Sequence, residues 1–186
     1  MANPPNQGNL TLRGTFARDD DGIPVTYLGL TTVNSKTLVG NGATVAVPLF
    51  SVTGSVMINA IYGVVTTVLG ANNTAAYWRL NDQTAQVSIT ASSGTTLSAA
   101  AVGGTIVKKG LAAAALTFLD AAAGRVSEPT TLETPYFSPF TVVQKTGGVA
   151  TNIEFVYTTS DTPTSGTIAF AVSWVPLTLG SGIATL

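Results

Sequence analysis

Residues 54–69, GSVMINAIYGVVTTVL, constrain the fold of this chain more than any other stretch. The even positions are almost all apolar and rich in β-branched side chains: Val56, Ile58, Ala60, Tyr62, Val64, Thr66 and Val68. Alternate side chains of a strand point to one face of the sheet, so the pattern predicts one long strand with a continuous buried stripe. Because most strands have only about 5–6 residues, we expect a bulge near Gly63.

A helix is the alternative for this stretch, because apolar residues also recur at every fourth position: Met57, Ile61, Val65 and Leu69. Gly63 and the many β-branched residues lower the helix propensity, which favours the strand. The stretch is also too short and too polar to cross a membrane as a helix.

Charged side chains are scarce, with 8 basic and 9 acidic residues among 186 and a net charge of −1. This balance provides neither the basic face that binds nucleic acid nor a polybasic segment that binds a membrane. So neutral a surface indicates a chain largely buried in an assembly, or one that works in extracellular conditions. No secretory leader is recognisable at the start of the sequence, so we do not expect Sec-type secretion.

Three regions are expected along the chain. Residues 1–35 are rich in Asn, Pro, Gly and Thr and contain the charge cluster Arg18-Asp19-Asp20-Asp21, which predicts an extended N-terminal arm. Residues 36–178 repeat strand patterns at regular spacing and predict a β-sandwich domain. Residues 179–186 are expected to be a loose C-terminal tail or to contact a neighbour.

Several strands of the domain have clear patterns. Residues 84–91 alternate, with Val87 and Ile89 expected to point inward, and residues 167–177 place Ile168, Phe170 and Trp174 on one face. The Gly147-Gly148 pair predicts a hairpin between residues 140–145 and 149–159. Residues 111–123 fit either a short helix or a strand.

About eight strands without alternating helices predict an all-β protein, either an antiparallel sandwich or a closed barrel. The long crossing connections favour a jelly roll. No short-period repeat is visible, which argues against a propeller or a β-helix.

Few groups in this chain are suited to catalysis. The absence of cysteine and histidine excludes disulfides, thiol chemistry and the usual zinc ligands, and no nucleotide-binding or serine-hydrolase motif is present. The triplet Asp19-Asp20-Asp21 lacks the alternating acids of a calcium loop. A carboxylate pair for glycoside hydrolysis would have to come from a short list: Asp82, Asp120, Glu128, Glu133 and Glu154. We therefore expect no enzyme, no catalytic residue, no metal and no cofactor.

A lysine would be the available base for a serine nucleophile, but Lys108 and Lys109 are expected to be solvated loop charges. Tyr77, Trp78 and Trp174 would form a sugar-stacking platform if exposed, although large aromatic residues are more often part of a core. Arg79, next to Trp78, is expected to pair with an acid across a subunit interface.

The closing segment GTIAFAVSWVPLT, residues 166–178, together with the charge-poor, Ala/Thr/Gly/Val-rich composition, resembles small virion proteins of tailed phages. The similarity is one of pattern over most of the chain, and it is greatest to capsid cement (decoration) proteins of jelly-roll type. It implies a homotrimer on the outer capsid surface that binds the major capsid protein and stabilises the head. The charged arm matches no motif of that family. The residues expected at the interface are Phe16, Arg18, Tyr27, Leu28 and Arg79.

Three other functions are considered. A tail-fibre or spike head that binds host glycans would expose Trp78 or Tyr136 in a groove. A major coat subunit would need a basic arm for the genome, which is lacking here. An enzyme that hydrolyses capsule polysaccharide would depend on acids such as Asp82 or Glu154.

Overall fold

The computed structural model describes residues 29–39, 42–70, 74–93, 97, 99–108, 110, 113–119, 121–122, 126–127, 139–147, 150–159 and 166–186. Within these ranges all regular secondary structure is β-strand, which confirms the all-β prediction. Residues 1–28, most of the expected N-terminal arm, lie outside the described part of the chain.

The strands follow each other in chain order as β1 Leu30–Thr37, β2 Thr44–Thr53, β3 Ser55–Thr67, β4 Thr74–Asn81, β5 Gln86–Ser88, β6 Thr105–Val107, β7 Thr117–Leu119, β8 Ala121–Ala122, β9 Val126–Ser127, β10 Phe140–Val143, β11 Thr151–Thr158, β12 Thr167–Pro176 and β13 Gly182–Thr185. β7 shows that residues 111–123 contain the strand, one of the two structures that the sequence allowed.

Two antiparallel sheets form the body of the molecule. The first sheet has the order β1-β12-β3-β6-β7, with β10 also paired to β3, and the second sheet has the order β13-β2-β11-β4-β5. The central strands of the two sheets, β1-β12-β3-β6 and β2-β11-β4-β5, have the interleaved order of a jelly roll. β8 and β9 form a separate two-stranded ladder.

The core lies between the two sheets. Phe155 on β11 contacts Phe170 on β12, with ring centroids 4.9 Å apart, and it also packs against Trp78 on β4 at 5.8 Å. The inward side chains predicted for β12 are confirmed, since Ile168 and Phe170 are fully buried and Trp174 is 6% exposed. Alternating apolar residues thus account for the way the two sheets face each other.

β3 is the predicted long strand, but it does not present one continuous stripe. Ile58 lies opposite Trp174 and Ala60 lies opposite Ser173, so Asn59 is an extra residue in the ladder with β12. Such a bulge reverses the alternation, and the core residues are therefore at even positions before Asn59 and at odd positions after it. The bulge lies four residues before the predicted site at Gly63.

β5 is shorter than predicted and its pattern is different. The backbone N–H groups of Ile89 and Thr90 both donate to the carbonyl oxygen of Trp78, at 2.9 and 3.2 Å, which ends the regular ladder after Ser88. Val87, expected to point inward, is 58% exposed, because it lines an open cleft at this edge of the second sheet. The prediction of a complete inward stripe over residues 84–91 was wrong.

The predicted hairpin around Gly147 does not form. β10 pairs with β3 in the first sheet, whereas β11 pairs with β2 and β4 in the second sheet. The glycine-rich turn therefore carries the chain from one sheet to the other. A turn signal gives the position of a reversal but does not determine which strands pair on either side of it.

The last residues form a strand rather than a loose tail, because β13 pairs antiparallel with β2. At the opposite boundary, β1 runs across residue 35, where we expected the arm to end. The side-chain amide of Asn34 donates to the carbonyl oxygens of Leu49 and Leu186, at 2.7 and 3.0 Å. These bonds join the first sheet to the second along one side of the sandwich.

Candidate functional site

Of the residues predicted for an interface, Arg79 is the one that the structure describes; Phe16, Arg18, Tyr27 and Leu28 lie outside the described part. Arg79 is on β4, directly opposite Glu154 of β11, and both side chains point to the outer face of the second sheet. Its Nε lies 2.7 Å from Oε2 of Glu154. The acid that pairs with Arg79 therefore belongs to the same chain, and a further contact with another subunit stays a prediction.

The carboxylate of Glu154 is held through both of its oxygens. The second oxygen, Oε1, accepts a hydrogen bond of 2.9 Å from Nδ2 of Asn81, and Nη1 of Arg79 donates to Gln86 at 2.7 Å. Glu154 is 6% exposed, so this carboxylate is nearly buried although it stands on the outer face of the sheet. Because its charge is neutralised and hydrogen-bonded, Glu154 is suited to linking β4 and β11 and not to accepting a proton from a substrate.

A cleft opens at one end of the sandwich, between β4–β5 and the segment after β10. Its volume is about 290 Å³, and aliphatic residues such as Leu80 and Val87 line it together with Asp82 and Lys145. Nζ of Lys145 lies 3.6 Å from Oδ2 of Asp82, and it also donates to the hydroxyl of Thr84. The cleft thus combines exposed aliphatic surface with one closed ion pair.

Asp82 is an acid whose pKa departs clearly from its ordinary value. Hydrogen bonds from the backbone N–H groups of Ala85 and Thr84 stabilise the ionised form and lower the pKa of Asp82 from 3.8 to about 2. The Thr84 hydroxyl and Lys145 act in the same direction. Asp82 therefore stays ionised, and its carboxylate accepts hydrogen bonds from the backbone of the tight turn that follows it. The role that this geometry supports is stabilisation of the turn.

Glycoside hydrolysis by Asp82 and Glu154 gains no support from this arrangement. Each carboxylate is held by its own partners, and Glu154 is on the outer face of the sheet whereas Asp82 is in the turn after β4. The other candidate acids, Asp120, Glu128 and Glu133, lie outside the residues whose side chains are described.

The three aromatic residues considered for a sugar-stacking platform do not form one exposed surface, because Trp78 and Trp174 are buried and Tyr77 is half-buried. Trp78 is fully buried in the core, which confirms the expectation that large aromatic residues of this kind belong to a core and leaves Trp78 unavailable to a glycan groove. Nε1 of Trp174 donates to the hydroxyl of Thr32 at 3.1 Å, which ties β12 to β1. Tyr136 lies outside the described part.

Lys108 is buried, in contrast to the expected solvated loop charge. It is 5% exposed, its Nζ donates to the carbonyl oxygen of Gly110, and it lies 5.2 Å from the centroid of the Phe140 ring. Desolvation lowers the pKa of Lys108. Lys109, its neighbour, is outside the described part.

Within the residues that the structure describes, no cluster of three or more Asp, Glu, His or Cys side chains is present that would hold a metal ion. Over the same residues, no helix is long and apolar enough to cross a membrane. No family model, no curated protein and no solved structure matches this chain. Its function is therefore inferred from the chemistry of the sandwich itself.

The sequence indicated Asp82, Arg79 and Glu154 separately, but it did not indicate what surrounds them. Asn81 and Gln86 complete the cluster around the ion pair, and Lys145 completes the mouth of the cleft. These contacts join residues on different strands or turns, and no local spacing signals them.

Proposed function

We propose that this chain is a structural virion protein, a capsid cement protein that binds the outer surface of a tailed-phage head as a homotrimer and stabilises it. The observation that carries this proposal is a jelly-roll sandwich with largely neutral surfaces. Jelly rolls occur in viral capsid and lectin domains, and this part of the support is an analogy of fold, because a fold alone does not determine function.

The distribution of charge supports a role in assembly. Four of the six charged side chains in the described part form two ion pairs, Arg79–Glu154 and Lys145–Asp82. The remaining two, Lys36 and Lys108, donate to main-chain oxygens. A partner that docks on such a surface does not have to strip water from unpaired charges, which is a large cost in binding.

A cement protein does not need one tight site. Many identical contacts repeated over a capsid lattice reinforce each other through multivalency, so a weak contact per subunit stabilises the whole shell. Alanine, threonine and serine side chains also allow close approach between neighbouring backbones. The major capsid protein is the proposed partner, with the N-terminal arm as the segment that contacts it.

The arm leads into the sandwich at Gly29, whose backbone has a φ of +72° and lies close to the carbonyl oxygen of Trp174. β1 begins at the next residue, and Thr32 accepts the hydrogen bond of Trp174. A deletion that tests the arm therefore has to end before Gly29, since a deletion through residue 35 would also remove most of β1.

The test compares the full chain with a chain that lacks residues 1–28. We expect the shorter chain to keep its β-sheet circular dichroism and its assembled mass by light scattering, but not to sediment with capsids that lack the protein. Undiminished decoration by the shorter chain would contradict the role of the arm. In virions that contain the protein, hundreds of copies on the head support the proposal, and a handful at the tail argue against it.

A further inference from the structure

β5 is the last strand of the second sheet, so one of its two edges has no neighbouring strand in the described part of the chain. Residues 85–88, which include the whole of β5, are all exposed. An edge strand that is open to solvent offers its backbone N–H and C=O groups to another strand. The edge of β5 is therefore accessible in the single chain.

The ladder between β4 and β5 shows which backbone groups are open. The N–H of Asp82 donates to the carbonyl oxygen of Ala85, directly opposite, at 3.1 Å, so these two residues form a hydrogen-bonded pair. Bonded and non-bonded pairs alternate along an antiparallel ladder, so Val87 is also bonded to β4, whereas the backbone groups of Gln86 and Ser88 point away from it. None of these four groups has a hydrogen-bond partner among the described residues.

The cleft between β4–β5 and the segment after β10 opens beside this edge. Leu80 lies opposite the fully buried Ile153 in one cross-strand row and opposite Val87 in the next, so Leu80 and Val87 belong to the inward side of the second sheet. Val143, at the end of β10, lines the cleft from the first sheet. Val87 and Val143 are both largely exposed, so aliphatic surface of the core-facing kind is open here.

The charges at the mouth of the cleft cancel. Nζ of Lys145 lies 3.6 Å from Oδ2 of Asp82, and both side chains are partly exposed. A charged group that entered the cleft would lose water against the aliphatic walls and would meet a like charge as well as an opposite one. The cleft therefore favours an uncharged, aliphatic occupant.

The edge and the cleft together specify the shape of that occupant. Free backbone donors and acceptors on every second residue are matched by the backbone of another extended segment. In an antiparallel strand added to β5, the residue opposite Val87 would be in a non-hydrogen-bonded pair, in which opposite side chains come closest. Its side chain would point inward beside Val87, into the cleft.

We propose that β5 and the adjoining cleft bind an extended, uncharged segment of a partner protein, antiparallel to β5, with an aliphatic residue opposite Val87. The site rests on the geometry of the edge and the cleft, whereas the assignment of the segment to the major capsid protein rests on the proposed function. An edge of three residues provides few backbone bonds. The single contact is therefore weak, and repetition over a lattice strengthens it.

The first experiment uses the full chain without capsids and a capped five-residue peptide that has valine at its centre and threonine at the other positions. We expect this peptide to shift the amide NMR signals of Gln86 and Ser88 in a saturable way. A matched peptide with aspartate at the centre should bind about 10-fold more weakly, because it loses the burial of the valine side chain. Equal affinity of the two peptides, or no binding of either, would overturn the proposal.

Val87→Asp tests the cleft from the protein side and should weaken binding of the valine peptide about 10-fold. Val33→Asp is the matched control, since Val33 is an exposed valine on β1, an edge strand of the other sheet, and its replacement should leave binding unchanged. Ser88→Pro removes one open N–H at a position where an edge strand tolerates proline, and it should also weaken binding. Unchanged binding in the variants that keep their β-sheet circular dichroism would overturn the proposal.

Sedimentation of the same variants with capsids separates this site from the cement function. A chain that binds the peptide at β5 but does not bind capsids supports the site and contradicts the cement role. A Val87→Asp chain that loses the peptide but still decorates capsids supports the site and contradicts its assignment to the capsid protein. A lower assembled mass of Val87→Asp in light scattering would contradict that assignment too, because another copy of this chain would then supply the segment.

Discussion

The ring of Phe155 on β11 lies 4.9 Å from the ring of Phe170 on β12, and this contact joins the two sheets in the middle of the core. Both side chains are fully buried. The pair shows how a chain with few charges holds its fold, since aromatic area buried between sheets supplies the stabilisation that other proteins obtain in part from polar links.

Replacing Phe155 with alanine should lower the free energy of unfolding by about 3–5 kcal/mol, because it removes the ring and leaves a cavity between the sheets. Denaturant unfolding followed by tryptophan fluorescence measures the loss. Val143→Ala is the control, since Val143 is 62% exposed and should change the free energy of unfolding by less than about 0.5 kcal/mol. Equal losses in the two variants would contradict the central place of Phe155.

Gly63 is expected to tolerate no side chain. A Cβ at this position would meet Cγ2 of Ile168 at 2.8 Å and Cδ1 of Phe170 at 3.0 Å, so Gly63→Ala should cost about 1–3 kcal/mol through overpacking. Gly182→Ala is the matched control, because a Cβ there meets nothing within 4 Å. Thermal unfolding of the two variants checks the difference, and a Gly63→Ala chain as stable as the control would refute the close contact.

Glu154→Ala should destabilise the chain by about 3 kcal/mol, because it leaves Arg79 and Asn81 without their acceptor in a nearly buried position. The double variant Arg79→Met/Glu154→Leu should lose less than Glu154→Ala, since no unpaired charge remains. Urea unfolding of Arg79→Met, of Glu154→Leu and of the double variant measures the coupling between the two positions. A double variant that loses the sum of both single losses would mean that the pair does not act as a unit.

Stability should depend on Asp82 in acid. Its pKa in the folded chain, about 2, is below the ordinary value of 3.8, so ionised Asp82 stabilises the fold above about pH 4, and this contribution disappears as the pH falls through 2. The melting temperature of the unaltered chain should therefore fall more steeply between pH 5 and pH 2 than that of Asp82→Asn.

The same titration separates the causes. Lys145→Met should retain most of the acid dependence, because the backbone donors of Ala85 and Thr84 lower the pKa of Asp82 more than Lys145 does. A flat profile for Lys145→Met would assign the effect to the ion pair instead.

Side-chain alternation gave a reliable prediction for β12, a long strand in the middle of its sheet. The inward residues of β12 are buried as expected, because period-two patterning reflects the geometry of the strand itself. In β3 the same reasoning failed after Asn59, since one extra residue reverses the faces and no local signal marks the position of the bulge.

Contacts between distant parts of the chain were not predictable in the same way. Glu154 stands on the outer face of its sheet, and the Arg79 and Asn81 side chains that hold its carboxylate come from the neighbouring strand. Likewise, the glycine pair after β10 indicated a reversal but not the change of sheet. Strand pairing depends on the topology of the whole chain, whereas the patterns in a single sequence report only local structure.

β13 has a consequence for the behaviour of this chain at high concentration. It occupies the side of β2 from Phe50 to Thr53, where bare N–H and C=O groups would otherwise face the solvent. Unpaired strand edges act as templates on which other molecules add, and this is a common route to fibrils. β13 becomes the edge strand in its place, and with only 4 residues it offers little length on which another molecule could add, so this flank is a poor starting point for polymerisation.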